Sequence, residues 1–169
     1  GGLFYLLAEK TISENGVVFG AIFDEDWQVK LDHAETLDGV KKFMGSKYVQ
    51  ANTATAFKDA EVFLKQGRKV LFSGSPCQIA GLHHYLSKDY DNLITVDFVC
   101  HGVPSPKVWG RYLDEVVVLG KKAICDIKFR NKRNGWKKFN FVLSYSQEDK
   151  YSSLYSWHKK NDFMQAFLS

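Results

Sequence analysis

Cys77 and Cys100 are the residues whose type and placement could do chemistry. Each follows a short apolar run and precedes a helical pattern. Val70-Leu71-Phe72 leads to the first, and Ile94-Thr95-Val96-Asp97-Phe98-Val99 leads to the second. If the two runs are neighbouring parallel strands, both thiols lie at strand carboxyl ends, where open α/β sheets bind ligands. A helix N-terminus behind Cys77 would also lower its thiol pKa. Either cysteine alone reads equally well as a small buried side chain. Their matching places shift the balance toward a nucleophile or a metal ligand. Cys125 falls inside an apolar strand pattern and is expected in the core.

His101 directly follows Cys100, and Asp97 lies a few residues before it. A Cys/His/Asp set for a hydrolase or transferase can therefore be assembled, with Cys77 as nucleophile and His101 as base. The plainer reading of His101 is a loop histidine bonded to backbone. His83 and His84 lack the i, i+4 spacing of a metal-binding helix and read as a helix surface. Gly74-Ser75-Pro76 matches neither a Walker loop nor a dinucleotide fingerprint. A small-residue turn into a helix N-terminus nevertheless suits an anion. Gly45-Ser46-Lys47-Tyr48 is a second small-residue turn, with a cation and an aromatic ring. Lys128, Arg130, Lys132, Arg133, Lys137 and Lys138 follow one another with no acid between them. Such a run predicts a solvated hairpin edge that binds an anionic partner only weakly.

The elements that must position these residues can be read from periodicity. Leu3 to Ser13 suits a helix closed by Asn15-Gly16. Val17 to Phe23 is a strand, Asp24-Glu25-Asp26 a turn, and Trp27, Val29 and Leu31 alternate on a second strand. Thr53 to Lys65 is helical, capped by Asn52 or Thr53 and stopped by Gly67. Lys69 to Ser73 and Leu93 to Val99 read as buried strands, joined by a helix from Cys77 to Leu86. Ser105-Pro106 opens a helix that runs to about Leu119. Ala123 to Arg130, Trp136 to Tyr145 and Tyr151 to Ser156 form a meander, with Asn134-Gly135 as a hairpin signal. Asn161 to Leu168 restarts a helix. The fold class predicted is α/β, a mixed sheet with a parallel strand–helix–strand centre and a C-terminal antiparallel meander.

The 169 residues are enough for one domain with a real core, so residues 1–169 are expected to form a single domain. The opening Gly1-Gly2 and the apolar end, Phe163 to Leu168, suggest a fragment of a longer protein with N-terminal and C-terminal parts missing. Aromatics make up 15%, read first as bulky core and second as the lining of a flat-ligand site. Lys and Arg number 23 against 19 Asp and Glu, a net charge of +4, too small to argue for nucleic acid. No apolar run reaches the ~18–20 residues of a membrane span. Three scattered cysteines form no disulfide framework, which points to a reducing, cytoplasmic setting.

Three stretches together resemble the coenzyme F-420 hydrogenase/dehydrogenase beta-subunit family. They are "GSPCQIAGL" at Gly74 to Leu82, "VDFVCHGVPSP" at Val96 to Pro106 and "KFMGSKYVQ" at Lys42 to Gln50. The leading Gly1-Gly2 with its apolar helix is similar to that family's Ser-Gly-Gly start. The likeness covers most of the chain to about Leu119 and is weaker over the meander. It implies an oxidoreductase with FAD and a 4Fe-4S cluster, passing electrons to or from a deazaflavin or another acceptor. Cys77 and Cys100 would be cluster ligands, a use that thiolates suit. Gly1, Gly2 and Gly45 to Tyr48 would lie along the flavin, with Ser46 and Lys47 on its phosphates. Gly74 and Ser75 would also touch the cofactor. The implied partners are a small redox coenzyme and a ferredoxin-type domain or protein, which many bacterial members carry as an N-terminal module. A Cys-x-x-Cys expected after the last helix does not occur before Ser169. Two thiolates cannot fill a four-cysteine site, so no cluster is expected in this piece alone. A third reading is a non-catalytic binding domain in a polysaccharide-related pathway.

Overall fold

The computed structural model describes residues 2–117, 123–147 and 150–168. The chain divides into two compact units. The first comprises Gly1–Phe23, Val29–Met44 and Ala51–Gly102. The second comprises Asp24–Gln28, Gly45–Gln50 and Val103–Ser169. Among the described residues no helix is long and apolar enough to cross a membrane.

The first unit is built on a four-stranded sheet in the order β2-β1-β3-β4. β1 (Val17–Phe23) pairs antiparallel with β2 (Val29–Ala34) and parallel with β3 (Val70–Gly74). β3 pairs parallel with β4 (Leu93–Asp97), as the two apolar runs predict. Val70, Leu71 and Phe72 are fully buried, so β3 is covered on both faces. Val70 and Phe72 join Val17 and Phe19 beneath α3 (Ala56–Lys65) and α4 (Pro76–Leu86). Leu71 and Val18 face the other way, onto Ala8 of α1 (Gly2–Ser13) and Val40 of the short α2 (Leu37–Val40). A strand buried on both sides must be apolar throughout, which is why this one shows no alternation. Gly16 joins α1 to β1 where no side chain fits. A Cβ there would lie 2.7 Å from the Lys69 carbonyl.

Several boundaries differ from the sequence reading. β4 ends at Asp97 rather than Val99, and as an edge strand its residues are half-buried or exposed, not buried. The strand expected from Trp136 starts at Asn140. Two further differences have local polar reasons. Trp27 is not on β2 but in the turn before it, at φ 60. Asp24 Oδ1 accepts the N–H groups of Asp26 and Gln28 and pulls the chain into that turn. α3 starts at Ala56 rather than Thr53. The Asn52 backbone is tied to β2 through Val29 and Leu31, and its side chain accepts the Ala54 N–H, so neither residue can enter the helix. Gly67, at φ 76, ends α3 as expected.

The second unit carries the separate antiparallel sheet β5-β6-β7. Its strands are β5 (Ile124–Asn131), β6 (Asn140–Gln147) and β7 (Lys150–Trp157). α5 (Pro106–Val116) and α6 (Asp162–Leu168) complete it. The end predicted for α5 near Leu119 lies outside the described residues. Ser105 caps α5 by accepting the Val108 N–H, and Asn161 accepts the Met164 N–H at the start of α6. The core is aromatic. The Trp109 ring contacts Tyr112, Phe129, Phe141 and Phe163 at centroid distances of 5.8, 5.1, 6.3 and 4.9 Å. Its indole Nε1–H donates to the Trp27 carbonyl at 2.7 Å.

Cys125 is exposed, not core. The β5–β6 register passes from Ile124↔Tyr145 to Asp126↔Ser144, leaving Cys125 as the extra residue of a bulge. A bulge breaks the alternation that the sequence pattern assumed. Asn134-Gly135 does turn the chain, with Gly135 at φ 94. It does so within a longer connection between β5 and β6, in which Gly135 N–H bonds the Lys132 carbonyl, and not as a two-residue hairpin.

Trp109→Ala should destabilise the protein by about 3–5 kcal/mol, the usual cost of emptying an aromatic core site. Trp109→Phe keeps most of the packing but strips the Trp27 carbonyl of its donor, and should cost about 1–3 kcal/mol. Urea denaturation of the three proteins measures both. Equal stability of Trp109→Ala and wild type would refute this account of the core.

Candidate functional site

The thiols sit where the sheet predicts. β3 and β4 run in register from Val70↔Leu93 to Gly74↔Asp97. Cys77 and Cys100 therefore each lie three residues beyond matched carboxyl ends of adjacent parallel strands. α4 starts at once after β3 because its N-terminus is capped locally. The Ser75 N–H donates to Gln78 Oε1 at 2.9 Å, closing the turn. That closure explains Gly74, whose added Cβ would lie 3.1 Å from Gln78 Oε1. Gln78 went unnoticed in the sequence, although a Ser-x-x-Gln spacing before an apolar run is a capping signal.

Cys77 lies exposed in the first turn of α4, with Ser75 Oγ 3.2 Å from its sulfur. The same hydroxyl is placed to donate to Gln78 Oε1 at 3.1 Å. Cys100 is half-buried, and the Gly102 N–H donates to its sulfur at 3.4 Å. Each sulfur thus has one hydrogen-bonding neighbour of its own. No hydrogen bond joins Cys77 to His101 among the described residues, and His101 is exposed. His83 and His84 are exposed on α4, as a helix surface should be. No group of three His, Cys, Asp or Glu residues able to hold a metal occurs among the described residues.

The second small-residue turn, Gly45 to Tyr48, belongs to the second unit. Gly45 adopts φ 86, a conformation that glycine takes without strain, and the space beside it is open. Gly45 and Ser46 are exposed, while Lys47 and Tyr48 are half-buried. The Tyr48 ring stacks on Phe167 at 4.7 Å and meets Phe129 edge-on at 5.6 Å. Gly2 is exposed at the start of α1, and Gly1 lies outside the described residues. A cavity of about 250 Å³ in the first unit is lined by Ile22, Asp32, His33, Thr36 and Lys42 among others. None of the residues predicted for the site lines it.

Burial pushes the Lys47 ammonium down to about 8. Between that value and the ordinary lysine range, the unfolded chain holds a proton that the folded chain has released. Stability from this group therefore rises with pH across that window, and its cost is full only below pH 8. Lys47→Met removes the cost. Its melting temperature should exceed that of wild type at pH 7, and the gap should close as pH approaches 10. Melting curves of both proteins at several pH values give the comparison, and a gap independent of pH would contradict it.

The family model for the C terminus of the coenzyme F420 hydrogenase/dehydrogenase beta subunit matches residues 67–164. No curated protein matches the chain. Among solved structures, it is similar to a chain in a xenon-derivatised F420-reducing NiFe hydrogenase complex from Methanosarcina barkeri. The TM-score is 0.54 at 18% identity, over 89% of this chain and 50% of that one. Identity this low shows a shared fold alone, and the chain spans about half the length of that neighbour. The matched region takes in β3, α4, β4, both strand-end thiols and most of the second unit. With more than half of its residues matched, the chain belongs to the family defined by the C-terminal part of the coenzyme F420 hydrogenase/dehydrogenase beta subunit.

Proposed function

We propose that the chain is the cofactor-carrying part of a redox subunit, binding FAD and contributing Cys77 and Cys100 to a 4Fe-4S cluster. The observation that carries this reading is the register-matched position of the two thiols at the ends of β3 and β4. Two buried structural cysteines would have no reason to share it, and neither is fully buried. Membership in the family makes redox chemistry the natural use of such a pair.

The fit differs between the two groups. The Gly45–Tyr48 turn suits a flavin's phosphates. It offers open backbone at Gly45, a hydroxyl at Ser46 and a cation at Lys47. Within the first unit, Gly2, Gly74 and Ser75 are candidate cofactor contacts of their own, with Gly1 beside Gly2 in sequence. The cluster is met only in part. A four-cysteine site needs two more thiolates, and the described residues offer no third ligand near the pair.

A flavin supplies both two-electron exchange with a hydride carrier and one-electron exchange with a cluster. The protein's own role is to set the charge around these groups. The Gly102 N–H is placed to donate to the Cys100 thiolate, which stabilises the more reduced, more negative state, whereas the one Ser75 proton can reach the Cys77 sulfur only by leaving Gln78 Oε1. In this reading the electron partner is a deazaflavin or another small redox coenzyme. Further subunits, or a ferredoxin-type module, relay electrons from the cluster. A cysteine-dependent hydrolase needs Cys77 within reach of His101, and the thiol's neighbour is Ser75 instead.

The full-length protein purified without oxygen should show flavin bands over a broad iron–sulfur absorbance. Cys77→Ser and Cys100→Ser should each lose most of the iron while keeping the circular dichroism of the wild type. Iron content per chain is the measurement. Variants with undiminished iron would overturn the ligand assignment, and a colourless wild type would overturn the redox reading as a whole.

A further inference from the structure

Arg130 stands apart from the other cations of its strand. The β5–β6 register passes from Lys128↔Val142 to Asn131↔Asn140, so three steps on β5 oppose two on β6. The extra residue falls at Phe129–Arg130, and a bulge there re-aims the side chains next to it. The Arg130 guanidinium lies over the Phe139 ring, 4.5 Å from its centroid. Phe139 is itself backed by the His158 ring, stacked at 4.0 Å. On its other side, Arg130 Nη1 donates to the Tyr48 hydroxyl at 3.4 Å. Tyr48 is in turn fixed by Phe129 and Phe167.

Arg130 is therefore held by aromatic groups and by one long hydrogen bond. No carboxylate pairs with it among the described residues, and most of its five N–H donors are unused. Lys128, two residues earlier, is by contrast paired with Asp126. A pre-positioned guanidinium with its fork open is suited to bidentate contact with phosphoryl oxygens. The neighbour of Tyr48 is Lys47, a second cation, and the turn begins at Gly45, where backbone can approach a ligand closely.

We infer that Arg130 and the Gly45–Tyr48 turn form one phosphoryl-binding site within the second unit, with Tyr48 as the residue that links them. Its chemistry is recognition of adjacent phosphate groups. A flavin dinucleotide or a free phosphate ester could supply them, and the first source rests on the function proposed above. Arg130 fixes the phosphates, Lys47 adds charge, and the Tyr48 hydroxyl holds the guanidinium in place. Of the six cations from Lys128 to Lys138, Arg130 is the one committed to a ligand, while Lys128 pairs with Asp126 and Lys132 lies over the Trp136 ring.

The test is calorimetric binding of inorganic pyrophosphate, FAD and riboflavin to wild type, Arg130→Gln, Arg130→Lys and Tyr48→Phe. Arg130→Gln should weaken pyrophosphate and FAD about tenfold, as expected for a lost charge-assisted hydrogen bond, and leave riboflavin unchanged. Arg130→Lys should recover only part of the loss, because an ammonium cannot reproduce the fork. Tyr48→Phe should weaken the same two ligands by a smaller factor. Arg130 is exposed, so unchanged circular dichroism should accompany every substitution. Wild type that binds pyrophosphate but neither flavin would overturn the flavin source and support the site. Wild type without pyrophosphate affinity, or Arg130→Gln binding pyrophosphate as tightly as wild type, would overturn the site itself.

Discussion

The burial of β3 on both faces is the constraint from which the first unit follows. Val70, Leu71 and Phe72 leave no surface to water, so helices must cover both sides and strands must flank both edges. β1 and β4 take the flanks, both parallel to β3. Parallel pairing requires a crossover between β3 and β4, and α4 supplies it. The same requirement places the carboxyl ends of β3 and β4 side by side. The chemistry that could occur at Cys77 and Cys100 is thus a consequence of how the apolar run Val70–Phe72 is hidden.

Around that strand, small polar groups decide the details. A sheet carboxyl end that feeds straight into a helix leaves several N–H groups without intrahelical partners. Gln78 answers one by accepting from Ser75, and this keeps the turn short enough for Cys77 to fall in the first helical turn. Gly102 answers differently. It adopts φ 116 and directs its N–H at the Cys100 sulfur. The Cys100 sulfur is thus supported by a backbone donor, and the Cys77 sulfur lies against the Ser75 hydroxyl of the same turn.

The second unit rests on a different principle. Its core is a cluster of rings around Trp109, whose one polar atom is satisfied by the Trp27 carbonyl. Rings also extend to the edge of the sheet, where Phe139 and Tyr48 hold Arg130. A cation kept in place by aromatic faces retains its charge and most of its donors. An ion pair would have neutralised it. The aromatic richness of the sequence thus serves both as core and as the frame of a charged site.

Much of this was legible in the residues alone. The apolar runs at Val70 and Leu93, the Ser-Pro start of α5 and the Asn15, Gly67 and Asn161 boundaries all reflect local energetics, which act over a few residues. The matching places of Cys77 and Cys100 followed from two such runs joined by one helix. Periodicity failed at Cys125, Trp27 and Thr53. A bulge is defined by the partner strand's register, a side-chain-capped turn by where its carboxylate points, and a helix start by backbone already engaged beside β2. The six cations from Lys128 to Lys138 looked equivalent in sequence. Folding separated them: Lys128 pairs with Asp126, Lys132 lies over the Trp136 ring, and Arg130 meets the Phe139 ring and the Tyr48 hydroxyl from positions 9 and 82 residues away along the chain. Contacts at that separation are set by packing, which no local pattern encodes.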